Sequence, residues 1–130
     1  MEMRAYPSDY LTSAQRILGD MLDFAVNMCD MDIDDYFELF TISSVSTQFQ
    51  NGNPTYIAGK NGCELVREVI ANAGMEPLSV KDEMYLDKSP EYWAGWALAY
   101  YQWYTCRPFI KIHKACLLYT SDAADEARSV

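Results

Sequence analysis

The sequence has little from which a metal site could be built. It contains one histidine, His113, and its four cysteines are scattered without a CxxC pair. Structural zinc sites need four cysteine or histidine ligands at characteristic short spacings, and this set does not supply them. We therefore assign no metal or cofactor ligands, and we expect the thiols to be reduced, as they are in cytoplasmic proteins. The cysteines are Cys29, Cys63, Cys106 and Cys116.

Long apolar runs and basic residues are scarce as well. No stretch approaches the roughly 18 apolar residues that a membrane-spanning helix requires. The opening, MEMRAYPSDY, lacks the basic and then apolar pattern of a secretory signal. The sequence contains ten lysines and arginines and nineteen acidic residues. The resulting formal net charge of -9 repels nucleic acid phosphates and bilayer surfaces. The sequence therefore predicts a cytoplasmic protein that contacts neither nucleic acid nor membrane directly.

The charge is unevenly distributed along the chain. Residues 1–50 hold nine acidic residues against Arg4 and Arg16, whereas residues 107–114 hold three basic residues and no acidic one. A solvated surface that keeps the protein soluble is the more common reason for such a pattern. The alternative is an electrostatic contact, either between the two ends of the chain or with a basic partner.

Half of the residues are hydrophobic and 14% are aromatic, which is enough for one core in a chain of 130 residues. Apolar residues recur at steps of three and four between residues 11 and 30, the pattern of an amphipathic helix. Ser8 or Asp9 can cap this helix. Asp20 and Asp23 fall mostly on its solvated side.

A second helix is predicted after Asp30, with Asp32 as its N-cap and more acidic residues in its first turn. The β-branched and hydroxylated run TISSVST weakens a helix, and it predicts a break near Ser43 or Ser44.

Two more helices have clear start signals. Asn61 and Glu64 have the spacing of a capping box, and Gly74 is the expected stop of that helix. Ser89 followed by proline marks the start of another helix, which should run to about Thr105. These patterns together predict an all-α fold, a small irregular bundle of about four to five helices that is truncated at its C-terminus.

Aromatic residues are concentrated in the last of these helices. Residues 92–104 contain seven of them, including all three tryptophans, while Gly95 and Ala99 lie on the opposite side. Small residues four apart let a neighbouring helix approach closely, which favours a central helix packed on both faces. The alternative is a docking surface, since tryptophan and tyrosine are enriched where proteins meet. The candidate partner-binding residues are Tyr92, Trp93, Trp96, Tyr100, Trp103 and Tyr104.

Motifs that carry catalysis or ligand binding are incomplete. Acidic residues alternate from Asp30 to Asp34 as at the start of a calcium loop, but the glutamate that such a loop needs is replaced by Thr41. The GKN segment at 59–61 lacks the glycine spacing and the Ser/Thr of a phosphate loop. His113 has no Ser, Cys or acidic neighbour in sequence. We assign no catalytic residues.

The end of the chain does not resemble natural protein. The string CLLYTSDAADE, residues 116–126, is similar to the translation of a transposon-end adapter used to prepare DNA sequencing libraries, and all eleven residues agree. We expect a single helical domain at residues 1–115 that is incomplete at its C-terminus. A non-native tail at 116–130, disordered or irregular, is expected to follow.

The strings LFTISSVSTQFQNGNPTYIAGKNGCELVREVI and SPEYWAGWALAYYQWYT resemble a family of small, acidic, helical bacterial proteins. Its members are encoded beside ADP-ribosyltransferase-like proteins in apparent toxin–antitoxin cassettes, and the family has no established catalytic residues to transfer. The resemblance implies a non-catalytic, antitoxin-like or accessory protein that binds a protein partner such as a cassette toxin. One alternative is a small enzyme that uses His113 and N-terminal acids and is completed by the missing C-terminus. Another is a regulatory helical domain that acts through a partner. The sequence does not decide the oligomeric state.

Overall fold

The computed structural model describes residues 3–76 and 88–112, and within these ranges the chain forms helices and turns without a β-strand. The predicted all-α class is confirmed. A 3₁₀ turn leads into the first helix, π-helical turns follow the first and third helices, and residues 109–112 form a last helical turn. In chain order the elements are the 3₁₀ turn Ser8–Tyr10, α1 Leu11–Asp23, the π-helical turn Phe24–Met28, α2 Ile33–Ile42, α3 Ser44–Gln50, the π-helical turn Thr55–Gly59, α4 Gly62–Asn72 and α5 Pro90–Thr105.

Three of the predicted helix caps are present. The Asp32 carboxylate accepts the backbone N–H of Asp34 at 2.9 Å, and Asn61 accepts that of Glu64 at 2.9 Å. Ser89 accepts the backbone N–H of Tyr92 at 3.1 Å. Each cap pairs an amide that has no partner within its own helix. These bonds join residues two or three apart, which is why the local sequence predicts them.

The break predicted in TISSVST lies at Ser43. This residue has an extended backbone, ends α2 and begins α3. Its hydroxyl donates to the carbonyl of Phe40 at 2.7 Å and accepts the backbone N–H of Ser46 at 3.4 Å. One serine thus pairs a carbonyl that α2 leaves free and an amide that α3 leaves free.

The first helix differs from its predicted description in two ways. Neither Ser8 nor Asp9 caps it, because both belong to a 3₁₀ turn in which the backbone N–H of Tyr10 donates to the carbonyl of Pro7 at 3.1 Å. Asp20 and Asp23, expected on a solvated side, are only 8% and 5% exposed. The reason is that α1 is covered on more than one side and has little solvated surface.

The central element is α1, which packs along α5 and also contacts α4 and the turn at 55–59. At the start of α4, a Cβ on Gly62 would lie 2.7 Å from Cβ of Asp20, so the two helices touch at that point. The expectation that the aromatic helix is central and packed on both faces is therefore wrong. The apolar stripe of α1 is fully buried, as its periodicity predicts, at Ala14, Leu18 and Met21.

A cluster of phenylalanine rings fills the part of the core that is formed by α2, α3 and the turn at 109–112. Phe109, from the turn at 109–112, is fully buried and packs edge to face against Phe40 and Phe49, with ring centroids 5.0 and 5.8 Å apart. Phe37 completes the cluster at 6.2 Å from Phe109. The segment after α5 therefore folds back onto α2 and α3 and closes the core.

Tyr36 in α2 gives a stability prediction. Its side chain is fully buried, its hydroxyl has no hydrogen-bond partner within the described ranges, and burial raises the pKa of this phenol. A buried polar group without a partner costs about 1–3 kcal/mol. We expect Tyr36→Phe to raise the free energy of unfolding by about 1 kcal/mol in urea denaturation. Tyr100→Phe, which removes a hydroxyl from an exposed ring, should change it little; an equal gain in both variants would contradict the explanation.

Candidate interaction surface

Helix α5 lies against α1 through its small residues. A Cβ on Gly95 would be 2.5 Å from the carbonyl oxygen of Leu18 and 2.7 Å from Cα of Gly19, so the two backbones are in direct contact. Ala99, one turn further along, is fully buried. The close approach that the spacing of Gly95 and Ala99 predicts is therefore present, and the neighbouring helix is α1.

The side of α5 that faces away from α1 carries large aromatic side chains in contact with solvent. Their exposed fractions range from 39% to 52%. Isolated exposed apolar residues are ordinary in soluble proteins, but a contiguous group of them on one helix face is typical of a binding surface. We call this group the aromatic surface; it comprises Trp93, Trp96, Tyr100, Tyr101 and Tyr104.

Two of the six candidate partner-binding residues lie elsewhere. Tyr92 is 7% exposed, and its ring covers Gly19 so closely that a Cβ there would lie 2.7 Å from it. Trp103 is half-buried, and its indole N–H donates to the carbonyl of Tyr6 at 2.7 Å. Tyr92 therefore belongs to the α1–α5 contact, and Trp103 holds the N-terminal segment on α5.

Helical geometry explains this division, and it also adds Tyr101, which the sequence analysis did not select. At about 100° per residue, Tyr92 lies about 20° from the buried Ala99 and Trp103 about 40° from it. Tyr101 lies about 160° away from Ala99 by the same count. Measuring each ring's angle from the Gly95–Ala99 side would have separated the two groups from the sequence.

Contacts between neighbouring rings limit the freedom of the aromatic surface. Trp93 and Trp96 pack edge to face with centroids 6.0 Å apart, and Tyr100 stacks on Tyr104 at 6.0 Å with an interplanar angle of 19°. Side chains that are already held in one arrangement lose less entropy when they bind. The rings are thus held in one arrangement by their own contacts.

Basic side chains border the C-terminal end of the aromatic surface. The guanidinium of Arg4 lies 3.9 Å from the ring centroid of Tyr104, and Arg107 donates to the Tyr101 hydroxyl at 3.3 Å. The backbone N–H of Ala5 donates to the carbonyl of Trp103 at 3.0 Å, which fixes the segment that carries Arg4.

A buried carboxylate fixes the start of α5. Asp23 accepts the hydroxyl of Ser89 at 2.5 Å and the side-chain amide of Asn27 at 2.9 Å. The same serine caps α5, so the cap is tied to the end of α1. Both ends of the helix that carries the aromatic surface are therefore anchored to other parts of the fold.

Residues 3–76 and 88–112 offer few side chains for a metal site or a catalytic site. No group of three metal-ligating side chains lies close together there. Of the cysteines in these ranges, Cys63 is buried, Cys29 is half-buried and Cys106 is exposed. His113 and the predicted tail at 116–130 lie outside the described residues. None of the helices in these ranges has both the length and the apolar character needed to cross a bilayer.

Comparisons of the chain with family models, with curated proteins and with solved structures gave no match. A function is therefore inferred from the aromatic surface itself, and the resemblance to the cassette family stays a prediction.

Proposed function

We propose that the protein is a non-catalytic interaction module that binds a partner protein through the aromatic surface. The observation that carries the proposal is a set of adjacent tryptophan and tyrosine side chains, 39–52% exposed, on a helix whose other side is locked against α1. Keeping these rings in water is unfavourable, and covering them with a partner recovers the hydrophobic free energy.

The spacing of the rings suits a helical partner. Trp93, Trp96, Tyr100 and Tyr104 follow one another at steps of three, four and four, the spacing that places side chains on one stripe of a helix. Such a stripe packs against the apolar stripe of another helix. Tryptophan and tyrosine supply the largest binding contributions in protein interfaces, because they combine apolar area with a polar group at the edge.

The net charge of the chain favours the approach of a basic partner, while Arg4 and Arg107 are the basic groups beside the aromatic surface itself. Exposed carboxylates occur at the start and along the outer side of α2, in a protein with a net charge of -9. Opposite charge speeds the encounter of two proteins and disfavours incorrect partners. These carboxylates are Asp30, Asp32, Asp34, Asp35 and Glu38. With the resemblance to the cassette family, this supports an antitoxin-like or accessory role in which the partner is the neighbouring toxin-like protein.

Coexpression with the product of the neighbouring gene tests the proposal. We expect a tagged form of this chain to capture that protein and to relieve its toxicity. Trp93→Ala with Trp96→Ala should weaken binding by roughly thirtyfold or more for each residue, as expected when a central interface aromatic is lost. The thermal midpoint should change little, because both rings are substantially exposed.

The matched control removes two exposed apolar side chains from other surfaces. Ile42 and Met75 are 69% and 50% exposed, and Ile42→Ala with Met75→Ala should leave capture intact. Equal loss in both double variants would show that general surface hydrophobicity is responsible. If the protein neither captures its neighbour nor relieves its toxicity, the proposed function is wrong.

A further inference from the structure

A second feature, separate from the aromatic surface, is a cleft of about 390 Å³. It lies between α1, the turn at 55–59 and Lys88, which precedes Ser89, the N-cap of α5. Small-molecule sites commonly have volumes of about 300–1,000 Å³, so the cleft is large enough for a small metabolite. Its polar lining consists of Arg16, Asp20, Lys60, Asn61 and Lys88.

The cleft concentrates positive charge in an acidic protein. It contains three of the seven lysines and arginines in the described ranges, brought together from positions 16, 60 and 88. The seven are Arg4, Arg16, Lys60, Arg67, Lys88, Arg107 and Lys111. The start of α4 adds the positive end of a helix dipole at the same place, because its cap Asn61 lines the cleft.

The three basic groups differ in how they are held. Arg16 and Lys88 are exposed and project their charge into the cleft. Lys60 donates to Glu68 at 2.6 Å, which fixes its position and leaves other ammonium protons for a ligand. The ammonium of Lys88 lies 4.5 Å from the ring centroid of Tyr92, beside the cleft. Three cations that line one cleft can together surround an anion.

Besides Glu68, which pairs with Lys60, the carboxylate of Asp20 lies near these cations. Asp20 is 8% exposed and lines the cleft. Burial raises its pKa, the neighbouring Asp23 adds to this, and the charges of Lys88 and Arg16 act in the opposite direction. The Asp20 oxygens can accept a hydrogen bond from a hydroxyl of a molecule held in the cleft.

We infer that the cleft binds a small phosphomonoester that carries a hydroxyl group close to its phosphate. The phosphate would be held by Arg16, Lys60 and Lys88, and the hydroxyl would donate to Asp20. Charge-assisted hydrogen bonds of this kind are the strongest that side chains make with phosphates. The volume of the cleft, about 390 Å³, suits a small ligand. The inference does not depend on the aromatic surface.

Calorimetric titration of the full chain at low ionic strength tests this inference, with glycerol 3-phosphate, inorganic phosphate and glycerol as probes. We expect glycerol 3-phosphate to bind, inorganic phosphate to bind more weakly, and glycerol to give no signal. Arg16→Gln with Lys88→Gln should weaken phosphate binding at least tenfold, since it removes two charge-assisted contacts. Both side chains are exposed, so the fold should tolerate the change.

Two further variants separate this site from general charge effects. Arg107→Gln with Lys111→Gln removes the same charge at exposed positions outside the cleft, and it should bind the probes as the unmodified chain does. Asp20→Asn should increase the affinity for inorganic phosphate and remove the advantage of glycerol 3-phosphate over it. If no phosphate probe binds, or if both charge variants lose affinity equally, the inference is overturned and the cations only balance Asp20.

Discussion

Replacing Gly95 with alanine is expected to lower the free energy of unfolding by about 1–3 kcal/mol, the usual cost of overpacking a core. The new methyl group would lie 2.5 Å from the Leu18 carbonyl oxygen and 2.7 Å from Cα of Gly19. Both atoms belong to the backbone of α1, so no side chain can rotate to make room. The two helices must move apart, and the packing along their whole contact loosens.

The sign of this effect separates packing from helix propensity. In a helix interior alanine is about 1 kcal/mol more favourable than glycine, so a solvent-facing Gly95 would give a more stable variant. Urea denaturation measures the difference. Gly59→Ala is the matched control, because among the described residues its methyl group would meet only the Pro54 carbonyl oxygen, at 3.5 Å. A stabilised Gly95→Ala protein would contradict the direct α1–α5 contact.

The same substitution links the fold to the proposed function. The aromatic surface has its orientation because the opposite side of α5 is seated on α1. A displaced α5 would present the rings at a different angle, so Gly95→Ala should also weaken partner binding. Gly59→Ala should not.

Truncating Phe109 to alanine is expected to cost about 3–5 kcal/mol, the range for removing a buried phenylalanine. Its ring is fully buried and contacts Phe37, Phe40 and Phe49. Its backbone N–H donates to the side chain of Gln50 at 2.9 Å, so the segment around the ring cannot easily collapse into the cavity. A loss of this size is a large part of the stability of a small domain.

Ile110 provides the control for Phe109. It is the next residue, and it is 41% exposed. Ile110→Ala should change the free energy of unfolding by less than about 1 kcal/mol. If the two variants are equally stable, residues 109–112 do not close the core, and the cluster of phenylalanine rings is not its closing layer.

The sequence predicted the candidate site in part. It identified α5 as the aromatic helix and Gly95 and Ala99 as its contact side, because a helical wheel is fixed by about 100° per residue. It did not predict that α5 is covered on one side only. The number of neighbours that a helix has depends on where the other helices lie. The spacing of residues within α5 does not predict those positions.

The burial of the acidic residues of α1 could not be predicted from the sequence either. Asp20 and Asp23 occupy positions that would be solvated on an ordinary amphipathic helix. In the structure Gly62 of α4 lies against Asp20, and Ser89, which caps α5, donates to Asp23. The buried polar contact between Ser89 and Asp23 joins residues 66 positions apart.

The amino-acid sequence alone determined the helical class, the starts of α2, α4 and α5, and the break at Ser43. These features depend on hydrogen bonds and side-chain directions among residues within about four positions of one another. The tertiary structure alone decided that α1 is central, that five aromatic side chains of α5 stay exposed, and that basic residues from positions 16, 60 and 88 line one cleft. Those outcomes come from contacts between distant parts of the chain, whose energies depend on how the helices pack together.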